Sequence, residues 1–421
     1  MFSARTVRWA ALTLLASGMF GSVSTAAAGV YNYYDVMVGG RSAQMGGAFT
    51  ALADDAAAAY FNPAGLVQIS TPSFSVSASG VDLQTYTISN RLFGKDVRFR
   101  SSTFYPTAWS VVRSHGELRL AFSAVVPSNL DMASTTNLSD ITFQGQTFDV
   151  GFVDSRIKDR VYLVGPSLAY RLNPALMIGG TAYFWYGEAL SETTAFFGGG
   201  GTQSQAGLFN RSSVVTQGFL GLAGFLYRPS DDYSIGLTLR APALLRQEVD
   251  IQDQRYSFDA PTSQFVNSFS QGGDSQSARR PTGGIIGLAV HPRPERTISM
   301  DLSYFAGAHY NLLSRRIAIE PVWNAAVGFE ELIRPRIPVR AGLYTNRSAA
   351  PKLDGSPTVQ DDHLDYFGAT LGLGYIDALS SFETGFRYAW GRGENKDPTT
   401  GERFDIRAKV ITVFVSGGIQ F

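Results

Sequence analysis

The stretch Thr297-Ile298-Ser299-Met300-Asp301-Leu302-Ser303-Tyr304-Phe305 alternates strictly up to Tyr304. Ile298, Met300, Leu302 and Tyr304 fall on one side of an extended chain, and Thr297, Ser299, Asp301 and Ser303 on the other. Successive side chains of a β-strand point to opposite faces, so this stretch reads as a strand with one greasy and one wet face. The same period of two recurs elsewhere. Tyr233, Ile235, Leu237 and Leu239 oppose Ser234, Gly236, Thr238 and Arg240; Leu118, Leu120 and Phe122 oppose Glu117, Arg119, Ala121 and Ser123; Phe382, Phe386, Tyr388 and Trp390 oppose Ser381, Glu383, Gly385 and Arg387. Two-faced strands serve a soluble sandwich or a barrel wall equally well.

The connectors decide between the two. About fourteen such segments run along the chain, at 73–88, 103–113, 117–126, 160–172, 175–188, 213–228, 232–246, 282–291, 296–305, 321–329, 336–346, 365–376, 380–391 and 408–421. Tight connectors such as Ser114-His115-Gly116, Asn173-Pro174, Pro229-Ser230-Asp231, Pro292-Arg293-Pro294 and Asp377-Ala378-Leu379 take turns with long ones at 127–159, 189–212, 247–281, 347–364 and 392–407. A transmembrane barrel keeps every second loop short, on its periplasmic side, and a sandwich has no reason to. The expectation is an all-β chain forming a transmembrane antiparallel β-barrel of about fourteen strands. The ring must close, because an open edge in hydrocarbon leaves backbone groups costing several kcal/mol each. In the last segment Ile411, Val413, Val415, Ile419 and Phe421 share one face. A terminal aromatic on such a strand resembles the signal read by the bacterial barrel-assembly machinery, which makes that machinery an expected partner.

The ends and the composition agree. Arg5 and Arg8 precede an apolar run from Trp9 to Phe20 and the exit Ala26-Ala27-Ala28, the layout of a cleavable secretory signal at 1–28. No other stretch approaches the length of a membrane helix. The chain holds 44 Gly, 19 Tyr and 29 Phe at near-neutral mean hydropathy, as expected when apolar and polar positions alternate. Without the leader its net charge is about minus two, with no basic stripe, which excludes a nucleic-acid partner. The absence of cysteine excludes disulfides, thiolate metal sites and thiol nucleophiles. No cofactor or metal is expected. Localisation is expected in the outer membrane of a Gram-negative-type cell, as a multi-pass monomer in contact with outer-membrane lipid.

Residues 39–66, GGRSAQMGGAFTALADDAAAAYFNPAGL, do not alternate. Asp54 or Asp55 is placed to cap a short Ala-rich helical turn, and Asn62-Pro63 breaks it and directs the chain into the first strand near Pro72. Small residues allow such a segment to pack tightly against a wall. With its Gly-rich opening, Ala-Asp-Asp-Ala core and Asn-Pro-Ala-Gly exit, it resembles the N-terminal hatch of the FadL/TodX outer-membrane transporters of long-chain fatty acids and aromatic hydrocarbons. Tyr227-Arg228-Pro229 through Ile235–Pro242 looks like that family's internal hairpin, and Pro338–Tyr344 like a later strand. The resemblance covers about a sixth of the chain. It implies a division into a leader (1–28), a hatch inside the lumen (29–71) and a barrel (72–421), with passive uptake of hydrophobic small molecules past a gate and out through a lateral gap.

Residue by residue, the resemblance carries over to Gly46, Gly47, Asp54, Asp55, Asn62, Pro63 and Gly65 as hatch residues. For capture, Phe196 and Phe197 stand in an aromatic, glycine-rich stretch, Ala195–Gly201, expected as a flexible loop. Pro106 and Pro166 interrupt strands that a closed wall would bond fully, and so mark candidate lateral openings. Among the inward charges Glu117, Arg119, Arg240, Asp301, Arg340, Glu383 and Arg387, mutual ion pairs are expected, with Arg240 or Arg340 free to hold a substrate carboxylate.

Two rival classes compete with a transporter. An enzyme needs a nucleophile with a positioned base, yet His115, His291, His309 and His363 have no Ser and acid at a readable spacing, and no HExxH motif occurs. The remaining alternative is a diffusion porin for polar solutes, or a structural or adhesive barrel; a plug argues against an open pore.

Overall fold

The computed structural model describes residues 31–34, 37–143, 146–199, 204–260, 263–312, 315–356, 358–398 and 400–421. The expected leader lies outside the described residues, as do Gly200 and Gly201. Strands β1 (Ser73–Leu92), β2 (Lys95–His115), β3 (Leu118–Phe143), β4 (Gln146–Asn173), β5 (Leu176–Gly198), β6 (Gln205–Tyr227) and β7 (Tyr233–Asp259) form successive antiparallel hairpins. They are followed by β8 (Gln264–Ser277), β9 (Gly283–Arg293), β10 (Arg296–Phe305), β11 (Ala308–Leu312), β12 (Arg315–Ile319), β13 (Val322–Arg334), β14 (Ile337–Asn346), β15 (His363–Ile376), β16 (Ser380–Lys396) and β17 (Arg403–Gln420).

The sheet closes on itself. β1 pairs with β17 from Ser73 opposite Gln420 to Ile88 opposite Ile406. β8 and β9 share one position in the wall, since β7 pairs through Arg246–Asp259 with β8 and through Tyr233–Arg240 with β9. β11 and β12 form a separate hairpin, and β10 pairs directly with β13. The result is a closed barrel of fourteen antiparallel staves, as the alternation predicts.

Its polarity is inside-out. Leu302, Tyr304, Leu237, Leu371, Phe386 and Val413 are exposed, whereas Ser299, Asp301, Ser303, Thr238, Thr370 and Arg387 on the same strands are buried. An apolar outer face alternating with a polar inner one suits a wall surrounded by hydrocarbon. On β17 and its terminal residue the apolar-out phase spans the eleven residues Ile411–Phe421, the length a tilted strand needs to cross that layer. Beyond it the phase reverses, with Ile406 and Ala408 buried and Arg407 and Lys409 exposed. β2 reverses likewise: Val97 and Phe99 turn in, Arg98 and Arg100 out.

One expectation is corrected. The segments 127–159, 189–212 and 247–281 are largely strand rather than loop: β3 and β4 run for 26 and 28 residues, and β5, β6 and β7 for 23, 23 and 27. Above the apolar belt their outer face carries charge, so the greasy alternation that marks a lipid-facing strand vanishes while the ladder continues. The wall is correspondingly lopsided, since β10 and β14 have 10 residues each. Among the described residues no helix is long and apolar enough to cross a membrane.

Leu371 lies mid-belt on β15 and is 60% exposed. Leu371→Arg is expected to destabilise the barrel by roughly 2–4 kcal/mol, and Leu371→Phe to leave it within about 1 kcal/mol, in urea titrations of the protein folded into phospholipid vesicles.

Candidate functional site

The segment before β1 contains two four-residue helices, α1 (Arg41–Gln44) and α2 (Ala58–Phe61), and a 3-10 turn at Pro63–Gln68. Gly46 and Gly47, at φ of 65° and 84°, take the left-handed conformation that ends α1, with the Gly47 N–H donating to the Ser42 carbonyl at 2.9 Å. Asp55 Oδ1 accepts from the Ala57 N–H (2.8 Å). Asn62 does more. Its Oδ1 accepts from the Ala64 N–H (3.2 Å) to cap the 3-10 turn, with Pro63 at the first position. Its amide donates to the Thr50 carbonyl (2.8 Å) and to the Phe225 carbonyl of β6 (3.0 Å). Gly65 rests against the backbone of Ala53, where a side chain has no room.

This segment fits the wall through missing side chains. Gly179 on β5, Gly224 on β6, Gly236 on β7, Gly287 on β9, Gly328 on β13, Gly342 on β14 and Gly372 on β15 face it, and at each a Cβ would come under 3.0 Å from atoms of residues 44–64. On β10, between β9 and β13, Asp301 takes the place of a glycine, accepting from the Phe49 and Thr50 N–H groups at 3.1 and 2.9 Å. Eight consecutive staves therefore seat the segment. Hydroxyls tie it down further: Ser234 donates to the Ala51 carbonyl (2.7 Å), Thr238 to Phe61 (2.8 Å), Thr181 to Ala59 (2.8 Å) and Thr370 to Gln44 (2.7 Å).

A chain of charges runs through the same contact. Arg41 bridges Asp54 (2.5 Å) and Glu330 of β13 (2.7 Å). Arg340 of β14, whose side chain is 1% exposed, pairs with Glu330 and with Glu383 of β16 (2.6 Å) and donates to Gln44 Oε1 (2.8 Å). Gln44 in turn donates to the Leu373 and Thr384 carbonyls at 3.2 and 3.0 Å. Arg119 donates to the Ile69 carbonyl at 2.5 Å, and the Arg240 guanidinium lies 4.7 Å above the Tyr60 ring. The inward charges thus bond the segment as well as one another. Glu117 sits in a turn against Arg171 (3.0 Å), and Arg387 donates to the Tyr344 hydroxyl (2.6 Å). Glu330 and the seven glycines were not singled out from sequence. The glycines left a signal, each standing at the inward phase of its strand.

Phe196 and Phe197 belong to β5, so the expected flexible stem is strand up to Gly198. Consecutive strand residues face opposite ways. Phe196 stacks on Phe152 at 6.0 Å, while Phe197 is buried 6.1 Å from Phe148 and 6.5 Å from Phe93. Phe197 belongs to an apolar cluster with Phe99, Met132, Leu138, Phe148, Leu208, Leu364 and Ile406, at the end of the barrel where the phase is reversed.

Pro106 and Pro166 have different surroundings. Pro166 stands opposite Phe122 of β3, and towards β5 only Gly165 and Pro166 lack partners before the register resumes in phase. Pro106 lies within a longer interruption. β2 and β3 pair from Ala108 opposite Val125 to His115 opposite Leu118, and again only at Arg100 opposite Ala133. Ser101–Thr107 and Val126–Met132, seven residues on each strand, have no ladder partners across this seam. Pro127, in the β3 bulge between Val125 and Ser128, lies on the facing lip. Close to the seam, a cavity of about 60 Å³ is lined by Ala56, Ala59 and Tyr60 of the segment and by Ser77, Ala108 and Val125 of the wall.

A closed fourteen-stave barrel filled by its own leading segment defines the class of protein. Solved structures of this fold include a Pseudomonas aeruginosa FadL homologue (14% identity, 93% of this chain and 100% of that one, TM-score 0.61). The P. putida toluene transporter TodX (15%, 92% and 99%, 0.62) and the Ralstonia pickettii toluene transporter TbuX (14%, 92% and 99%, 0.60) share it too. No family model and no curated protein matches the sequence. The likeness is one of fold.

Gly342→Val places a side chain against the Met45–Gly46 backbone and is expected to raise amide exchange across Met45–Leu52 at least about tenfold, with the barrel still closed by its heat-modifiable mobility. Gly284→Val, where a Cβ meets nothing nearer than 3.5 Å, is the control. Equal exchange in both would refute the seating.

Proposed function

We propose that the protein is an outer-membrane channel for passive uptake of hydrophobic small molecules, gated by residues 37–71 acting as a hatch. The observation that carries this reading is the β2–β3 seam. The belt spans Ile411–Phe421 on β17, and through the registers to β1 the seam residues Thr103–Thr107 lie at its depth, with Phe104 72% exposed. A wall in hydrocarbon gains by bonding every backbone group, so an unladdered stretch there is a costly feature that a static barrel has no use for. A nonpolar molecule passing sideways into lipid would need such a gap and would never have to meet water.

The rest of the path is consistent with that use. The apolar cluster around Phe99, Phe148 and Phe197 offers a greasy surface at the outer end, where a lumen for polar solutes would be wet. The segment is seated on β5–β15, and the cavity lies on the other side, towards the seam. A small shift of Ala56–Tyr60 would join cavity to seam without unseating the glycine contacts. Arg340, held by Glu330, Glu383 and Gln44, acts in this reading as an anchor of the hatch. Toluene-class and fatty-acid-class cargo are both compatible, the first being the cargo for which the toluene transporters TodX and TbuX are named.

The chain has no native cysteine, so a pair introduced at Tyr105 and Ser128 can be bridged across the seam by a short bifunctional thiol reagent. Cells carrying the protein are expected to take up labelled toluene or oleate several-fold faster than cells without it. Bridging should abolish the difference, and a cleavable bridge should restore it on reduction. Uptake unaffected by the bridge would remove the lateral route; uptake equal with and without the protein would remove the transport reading altogether.

A further inference from the structure

Five cations stand together on the outer surface just above the apolar belt: Arg98 and Arg100 of β2, Arg407 and Lys409 of β17, and Arg392 of β16. Thr87 of β1 is opposite both Arg98 and Arg407, and Thr85 opposite both Arg100 and Lys409, while Arg392 directly faces Arg407. They therefore occupy two successive outward rows over four neighbouring strands, about 4.8 Å apart. All five are exposed, and the residues between them, Val97, Phe99, Ile406 and Ala408, are buried. Leu83, Ile411 and Trp390 close the belt beside them.

Among the described residues none of the five makes an ion pair or a side-chain hydrogen bond. Of the acids nearby, Asp405, two residues from Arg407 on the same face of β17, is exposed and forms no ion pair with any of the five, and the others are engaged elsewhere. Glu394 pairs with Arg403 (3.5 Å), and Asp365, opposite Arg392, accepts from the Ser348 N–H (2.8 Å). Like charges set directly opposite on adjacent strands weaken a sheet, as Arg392 and Arg407 are here. Elsewhere on the same barrel comparable outward cations are compensated: Arg156 and Arg160 lie 3.1 and 3.2 Å from Asp131. The contrast points to an anion supplied from outside the chain.

We propose that this patch binds the phosphorylated saccharide headgroup of an outer-leaflet glycolipid, its phosphates on Arg98, Arg392 and Arg407 and its acyl chains along the belt below. A guanidinium grips a phosphate through two parallel hydrogen bonds, and three surround this site. The patch is spread over the convex outer wall, so a small soluble anion would be screened and lost. A lipid already held by its chains against Leu83 and Ile411 presents its headgroup at this height. The inference needs the belt to lie in lipid; it is independent of what crosses the lumen.

The test measures binding of bisphosphorylated lipid A to the delipidated full-length protein in detergent by native mass spectrometry, for wild type and for Arg98→Gln/Arg392→Gln/Arg407→Gln. Binding should fall about fivefold for each arginine removed, with the single Arg407→Gln variant as the reading should the triple not fold. Dephosphorylated lipid A and phosphatidylglycerol should bind wild type no better than lipid A binds the triple variant. Millimolar inorganic phosphate should displace nothing. Undiminished binding by a folded variant overturns the proposal, as does equal binding of dephosphorylated lipid A, equal binding of phosphatidylglycerol, or displacement by inorganic phosphate. Loss of toluene or fatty-acid uptake has no bearing on it.

Discussion

A peptide group facing hydrocarbon must find its hydrogen-bond partner within the protein, because nothing around it can offer one. The remaining architecture follows from that requirement. A wall of strands has to return to its start, which β1 does along β17 from Ser73 to Ile88. The alternation then has to put Leu, Val and Phe outside and Ser, Thr and charge inside, and the inward polar groups need partners in their turn. Much of that demand is met by one short stretch of chain: carbonyls of Gln44, Ala51, Ala59 and Phe61 accept from wall hydroxyls, and amides of Phe49 and Thr50 donate to Asp301. The leading segment is thus part of how the barrel satisfies itself.

The two sides of the lumen are built differently. From β5 round to β15 the wall recedes to bare backbone at every stave but β10, where Asp301 reaches in, so the segment lies against it at main-chain distance. Across β1 to β3 the lining is Ser77, Ala108 and Val125, with space left over, and there the ladder between β2 and β3 parts. Tight seating on one side and slack on the other gives the interior a direction. On the proposed reading, this asymmetry turns a plugged cylinder into a route that leaves through its side.

The barrel was legible in the sequence because lipid imposes its pattern residue by residue. Ile298 to Tyr304 and Ile411 to Phe421 announce their faces without any knowledge of their neighbours. The taller hairpins were not, since residues such as Asp154, Arg156 and Lys158 read as loop where no greasy face survives, although their backbone is fully paired with β3 and β5. Asn62 and Pro63 could be read as a break, because capping is local. The charge chain could not: Glu330 and Arg340 face each other on one hairpin and Glu383 lies two strands on, but Arg41 and Gln44 come from the far end of the chain, and only the seating of the leading segment against this part of the wall completes it. Phe196 and Phe197 show the finest limit. Adjacent in the chain, they lie on opposite sides of the wall, and which of them meets the lumen depends on the phase of a strand not recognised as one.

The reversal of phase between Ile411 and Arg407 has an implication for assembly. Shifting β17 by a single residue against β1 and β16 would carry Arg407 and Lys409 inward onto the Phe99 cluster and Thr412 out into lipid, and a shift by two would slide Lys409 into hydrocarbon. The molecule therefore carries its own depth gauge. Vertical position and strand register are one and the same variable, so a correctly registered barrel can float at only one height.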